Sequence, residues 1–131
     1  MADHFNRMLD EGRQRDLRRW IAELKAAEDA ARQSKDHPLR TYQVSYRIQR
    51  PSDDLLKGNA NQRRDLLTEL LRSLGDYEFH ASTSTWIIKL HIPKAETITG
   101  LLAGPLDTTD YLRVAELNAN RHHIGDADLE P

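Results

Sequence analysis

The spacing of hydrophobic residues changes repeatedly along residues 41–117, and the order of these changes predicts the fold class. Every second residue from Tyr42 to Ile48 is hydrophobic, which is typical of a half-buried strand. The leucines of residues 66–74 recur at helical spacing and stop before Gly75, a residue that commonly ends helices. The later segments predict two strands, a helix and a last strand, over residues 77–80, 83–91, 93–102 and 112–117.

A long charged helix is predicted ahead of this pattern. Hydrophobic residues recur at three- and four-residue steps from Leu17 to Ala31, and residues 5–9 add a shorter apolar patch. Gly12 is the weakest helix former in the segment, so we expect a break there into a short and a long piece. Pro38 ends the helix, because the residue before a proline is biased away from helical backbone.

Together these segments predict an α+β chain. Residues 1–38 form an N-terminal amphipathic helical segment, residues 39–118 a ferredoxin-like domain, and residues 119–131 a polar C-terminal tail. The βαββαβ order predicts an antiparallel sheet with two helices on one face and the other face open.

The amino-acid composition excludes several kinds of chemical site and indicates a compartment. The chain has no cysteine, which excludes disulfides, thiolate metal sites and cysteine nucleophiles and fits a reducing compartment. Its formal charge of -2 argues against a protein that coats nucleic acid but leaves a local basic patch open. Because no apolar run is typical of a signal peptide or a bilayer span, we expect a cytoplasmic protein that does not enter membranes.

From about residue 42 to residue 117 the sequence resembles the SinR-like family of small bacterial proteins. That family is similar in fold to the small CRISPR spacer-acquisition subunit and to VapD-type toxins. Four motifs in matching order carry the resemblance: Tyr42-Gln-Val-Ser-Tyr46, Leu74-Gly75-Asp76-Tyr77, Ser84-Thr85-Trp86-Ile87-Ile88 and Asp110-Tyr111-Leu112-Arg113-Val114. The resemblance implies a ferredoxin-like fold and commonly a homodimer.

The sequence departs from the nuclease-like relatives at the end of the first strand. The resemblance implies a metal-binding aspartate there, but this chain has Arg47. A guanidinium cannot be deprotonated in a protein and cannot bind magnesium. We therefore expect no divalent-metal nuclease of that type.

Strand alternation places three basic residues on the open face of the sheet. If the hydrophobic residues of the first strand face the helices, Arg47 faces away from them, and the same parity places Lys89 and Arg113 beside Ile87. Such a basic stripe predicts binding of phosphate or single-stranded nucleic acid. The face lacks the aromatic platform of RNA-recognition sheets, and a dimer interface, an intrachain interface or a solvated face remains open.

The N-terminal helix carries an apolar stripe that needs a partner. Its members are Leu17, Trp20, Ile21 and Leu24. We predict that this stripe is a partner or dimer interface anchored by Trp20, a mode in which a helix binds a groove through spaced side chains. Packing of the stripe on its own domain is the competing interpretation. Acidic and basic residues nearly balance on this helix, which argues against a DNA-binding role.

No complete catalytic constellation is present. The serines lack a nucleophile elbow, and the chain has no glycine-rich phosphate loop. The pair Asp53-Asp54 and the cluster of His122-His123 with Asp126 and Asp128 are predicted to be solvated rather than metal-binding. His80 and His91 flank the central hairpin, where a satisfied surface histidine is predicted. His80 retains the alternative of a pH-sensitive or acid–base group. We predict no catalytic residue, no bound metal and no cofactor.

The sequence therefore predicts a non-enzymatic, homodimeric protein-interaction module. By the resemblance alone, it is associated with mobile-element, toxin-antitoxin or phage-defence systems. The alternative is a nucleic-acid-binding or degenerate nuclease-like protein that uses Arg47, Lys89 and Arg113. A metal-dependent ribonuclease with unrecognised ligands is a third interpretation. The partner, the geometry of the dimer and the host pathway are not encoded in any motif.

Overall fold

The computed structural model describes residues 2–51, 56–81 and 85–117. The predicted α+β class is confirmed, with a long N-terminal helix and a four-stranded antiparallel open sheet. The elements in chain order are α1 (Ala2–Arg32), β1 (Arg40–Arg47), α2 (Ala60–Arg72), β2 (Tyr77–His80), β3 (Thr85–Leu90), α3 (Ala95–Leu102) and β4 (Tyr111–Leu117). The predicted tail and the clusters at 53–54 and 122–128 lie outside the described residues.

The sheet has the strand order β2-β3-β1-β4, so β2 and β4 form its two edges. All three pairings are antiparallel. Val44 at the centre of β1 lies opposite Trp86 of β3 and Val114 of β4. Residues opposite each other share a face of a sheet, so these three mark the side that packs against the helices.

Trp86 is the largest fully buried side chain of the core, at 1% exposure, as its alternating strand pattern predicted. Its indole nitrogen donates a hydrogen bond to the Tyr46 hydroxyl at 3.2 Å. The rings of Tyr77 and Phe79 lie against it at centroid distances of 5.0 and 4.7 Å. The alternation of β3 thus creates an aromatic cluster that joins the edge strand β2 to the core.

Both ends of α2 use residues suited to helix termini. The Asn59 side chain accepts a hydrogen bond from the Gln62 backbone N–H, and the Gln62 side chain accepts one from the Asn59 backbone N–H. This capping box satisfies two backbone donors that the first helical turn leaves without partners. Gly75 follows the helix with φ of +82°, a conformation that glycine adopts without steric cost.

α1 runs without interruption from Ala2 to Arg32, so the predicted break at Gly12 is wrong. A glycine inside a helix costs only about 1 kcal/mol relative to alanine, which a 31-residue helix with a packed face tolerates. An ion pair of 2.5 Å between Arg13 and Asp10 also bridges this turn. α1 packs against α2 and α3 and contributes buried side chains to the same core.

None of the helices in the described part of the chain is both long enough and apolar enough to cross a membrane.

Candidate interaction surfaces

The sheet face opposite the helices, which we call the open face, carries the three basic residues predicted from alternation. Arg47 lies opposite Tyr111, and Arg113 lies opposite Ser45. Lys89 lies opposite Thr41 on the other side of β1. The side chains of Arg47, Lys89 and Arg113 are exposed, and none of the three forms an ion pair with another described residue.

The three basic residues do not form one continuous stripe. Thr41 and Arg47 are six residues apart on β1, which corresponds to about 20 Å along a strand. Lys89 therefore lies at one end of the open face, whereas Arg47 and Arg113 lie together at the other end. The register is the reason, because it pairs the C-terminal half of β3 with the N-terminal half of β1.

Tyr111 is a residue of the open face that the sequence reasoning missed. It is 55% exposed and lies opposite Arg47, two residues before Arg113 on the same strand. The sequence analysis expected no aromatic platform on this face, and it did not place this single exposed ring there. The sequence contained the signal for this placement, because residues two apart on a strand share a face and Tyr111 lies two residues before Arg113. The predicted strand began at residue 112, one residue too late to include Tyr111.

The apolar stripe of α1 packs within its own chain. Leu17 and Leu24 are buried in the core, and Trp20 and Ile21 are half-buried against it. The Trp20 indole lies so close to Gly104 that an added Cβ would come within 2.5 Å of it. Leu17 and Leu24 thus have no surface left for a partner, and only Trp20 and Ile21 keep exposed area. Whether that area joins an interface remains a prediction.

The N-terminal end of the same helix carries apolar side chains that the core does not cover. Phe5 and Met8 are 51% and 57% exposed, whereas Leu9 is half-buried. These residues continue the helical spacing of the buried stripe toward the N-terminus. We call residues 3–9 the α1 overhang. An exposed apolar stripe that continues a packed one is typical of a protein-binding surface.

The strand β2 presents a second exposed apolar surface. Tyr77 and Phe79 are 38% and 44% exposed although they contact Trp86, and all four residues of β2 are exposed. Glu78 and His80 lie on the open face of the same strand, with their side chains 3.8 Å apart. His80 is thus a surface histidine beside a carboxylate.

A buried ion pair joins α2 to the loop before β4. The Arg63 guanidinium donates to both carboxylate oxygens of Asp110, at 2.8 and 2.9 Å, and the two side chains are 0% and 1% exposed. Arg63 also donates to the carbonyls of Gly58 and Arg50, and Asp110 accepts from the Asp107 N–H. The hydrogen bond to Asp110 raises the pKa of Arg63 above its already high ordinary value. This satisfied network fixes three chain segments and leaves no free base or nucleophile.

A second buried carboxylate joins α1 to the end of β3. Glu28 accepts hydrogen bonds from the backbone N–H groups of His91 and Ile92, at 2.7 and 3.3 Å. Its other oxygen lies 2.7 Å from the Nδ1 of His91. His91 is therefore a satisfied, half-buried histidine with a structural partner. Nearby, burial raises the pKa of Tyr42, whose hydroxyl donates to the Ile92 carbonyl.

Metal-binding groups do not converge within the described ranges, where no three histidine or acidic side chains could hold one ion together. Comparison with known proteins found no matching family model, no matching curated protein and no matching solved structure. The resemblance to the SinR-like family therefore stays a prediction.

Proposed function

We propose that the protein is a non-enzymatic, homodimeric protein-interaction module. The observation that carries this proposal is the apolar surface that remains exposed after the chain has completed its own core. Phe5 and Met8 of the α1 overhang, and Tyr77 and Phe79 of β2, are all more than one third exposed. Exposed apolar patches on small proteins commonly mark contact surfaces, and aromatic residues are enriched in interfaces.

The proposal includes a ferredoxin-like domain after α1. The order of elements from β1 to β4 and the strand order β2-β3-β1-β4 support it. The proposed link to mobile-element, toxin-antitoxin or phage-defence systems is supported by the four sequence motifs alone. The absence of cysteine supports a cytoplasmic location.

Light scattering coupled to size-exclusion chromatography tests the homodimer. The full chain at micromolar concentrations should elute with twice the mass of one chain. A mass of one chain at every concentration up to the millimolar range would refute the proposal. We assign the dimer contact to β2 and the α1 overhang to a further protein partner. The double variant Phe5→Ser with Met8→Ser should therefore leave the dimer mass unchanged.

The second candidate function is binding of single-stranded nucleic acid on the open face. The observation that favours it is the cluster of Arg47, Arg113 and Tyr111, in which two exposed guanidinium groups flank an exposed ring. Guanidinium groups neutralise phosphates, and an aromatic ring stacks on a base. Lys89 would contact the bound nucleic acid only at the far end of the open face.

Fluorescence anisotropy with labelled single-stranded RNA and DNA tests this second function. Affinity should fall with salt, and Arg47→Gln with Arg113→Gln should reduce the slope of log K against log salt by about 1.4. Arg19→Gln, an exposed arginine on α1, is the matched control. A separate assay incubates the same oligonucleotides with the protein and magnesium or manganese, and the oligonucleotides should stay intact. Cleavage that EDTA abolishes would support the ribonuclease interpretation instead.

A further inference from the structure

Within the described residues, the strand β2 lies at an edge of the sheet and pairs with β3. All four of its residues are exposed. Natural proteins usually protect such an edge with a proline, a lysine or a bulge. Residues 77–80 read Tyr-Glu-Phe-His and contain neither proline nor lysine. Its protection is limited to its short length of four residues and to the charge of Glu78, so its outer backbone groups remain suited to pairing with another strand.

Symmetry limits how β2 can pair with a second copy of itself. Two copies can pair antiparallel so that both helix-covered faces lie on the same side of the joined sheet. Opposed residues must then both be odd-numbered or both be even-numbered, because side chains alternate between the faces of a strand. The two-fold axis then passes through a residue, and within the centre of β2 that residue is Glu78 or Phe79. The two registers oppose different side chains.

The charges of the strand distinguish these two registers. An axis at Glu78 would oppose two carboxylates directly, and like charges in that position destabilise a strand pair. An axis at Phe79 instead opposes Glu78 to His80 of the second copy, and does so twice. It also opposes Phe79 to its own copy on the helix side of the sheet. The edge is thus complementary to itself in only one of the two registers.

We infer that two copies pair antiparallel through β2 with Phe79 on the two-fold axis, which joins two four-stranded sheets into one continuous sheet. This inference rests on the proposed homodimer and names its surface. The two Phe79 rings meet at the centre of the interface, where each already packs against Trp86 of its own chain. Glu78 and His80 pair across the axis on the open face.

Cysteine cross-linking tests this register directly, because the natural chain contains no cysteine. Opposed residues in an antiparallel pair have Cα atoms about 4.5 to 5.5 Å apart, within the range of a disulfide. Phe79→Cys should therefore form a covalent dimer under mild oxidation. Glu78→Cys is the register control, because its Cα atoms would lie about 7–8 Å apart on the diagonal. Met8→Cys tests the alternative that the two copies meet at the α1 overhang, since Met8 is exposed on α1.

Each cross-linking result has a distinct meaning. Cross-linking of Phe79→Cys alone supports the inference, and efficient cross-linking of Glu78→Cys instead overturns the register. If the chain is dimeric and only Met8→Cys cross-links, the β2 surface is wrong while the homodimer stands. A monomeric parent chain overturns the homodimer and this surface together. Circular dichroism and tryptophan fluorescence check that each variant is folded.

Charge substitutions provide a second test that leaves the aromatic cluster intact. His80→Glu would oppose carboxylates twice across the axis and should raise the dimer dissociation constant about tenfold or more. The double variant Glu78→His with His80→Glu restores the complementary pairs and should recover most of that loss. A loss in His80→Glu that the double variant does not recover, or no loss at all, would overturn the proposed register.

Discussion

Removing one partner of the Arg63–Asp110 ion pair should destabilise the fold more than most single substitutions. Asp110→Asn keeps the shape of the side chain but leaves the Arg63 guanidinium buried without a counter-charge. Its acceptors would then be two backbone carbonyls and the single amide oxygen of the asparagine, none of which carries a charge, and the asparagine NH2 group would face guanidinium donors. Breaking a buried ion pair on one side typically costs about 3–5 kcal/mol, against a total stability of about 5–15 kcal/mol for a natural domain.

The size of this effect follows from burial, so an exposed pair on the same helix is the matched control. Arg72 and Glu69 lie 3.5 Å apart, and both side chains are more than half exposed. Glu69→Gln should therefore cost no more than about 0.5 kcal/mol. The double variant Arg63→Met with Asp110→Asn removes both buried charges and should cost clearly less than the sum of the single variants.

Urea unfolding followed by tryptophan fluorescence measures these differences in the free energy of unfolding. We expect a loss of about 3–5 kcal/mol for Asp110→Asn and for Arg63→Met, with a coupling energy of about 1–3 kcal/mol between them. A loss below about 1 kcal/mol for Asp110→Asn, or strict additivity in the double variant, would contradict the view that this pair is buried and mutually dependent.

Three further predictions concern the core and the N-terminal helix. Leu24→Ala should lower the free energy of unfolding by about 2–5 kcal/mol because Leu24 is fully buried. Met8→Ala on the same helix should change it by less than about 0.5 kcal/mol, and thermal unfolding at one protein concentration compares the two variants. Gly104→Ala should lower the free energy of unfolding by about 1–3 kcal/mol, because the added Cβ would lie 2.5 Å from the Trp20 indole of α1. In the control Gly100→Ala the added Cβ has no atom within 4 Å, so this variant should be neutral or stabilised by up to about 1 kcal/mol. Equal stability of the two variants would disprove the contact at Gly104. Burial raises the pKa of Tyr42 above its ordinary value of 10.0, so the stability that its protonated hydroxyl contributes is complete below pH 10 and is lost as the pH rises through the folded pKa. Tyr42→Phe should therefore lower the free energy of unfolding by about 1 kcal/mol at pH 7 and lose less stability above pH 10 than the parent. If the stability of the variant and of the parent falls in parallel above pH 10, the stabilising role of the Tyr42 hydroxyl is refuted.

Local patterns in the sequence were sufficient to predict most secondary structure elements and the faces of the strands. The alternation from Tyr42 to Ile48 located β1, and it correctly placed Arg47 on the open face. The same rule missed Tyr111 because the predicted strand began one residue too late. Side-chain parity thus carries much of the information about a surface, provided that strand ends are placed correctly.

The contacts that position the elements could not be predicted in the same way. Arg63 and Asp110 are 47 residues apart, and Glu28 and His91 are 63 residues apart. Hydrophobic periodicity reports which face of an element is buried but contains no information on which distant polar residue meets it. For the same reason the stripe of α1 was recognised while its burial partner, the chain's own core, remained open.

The hydrogen bonds from His91 and Ile92 to Glu28 have a consequence during protein synthesis. The ribosome completes α1 well before it adds residue 91, which follows Glu28 by 63 residues. At about 5–20 residues per second, this interval lasts roughly 3–13 s. During it, Leu17 and Leu24 lack most of the core that buries them in the folded chain, so the nascent helix exposes its apolar stripe. α1 is therefore synthesised before the elements it packs against and reaches its native contacts only after they have been made.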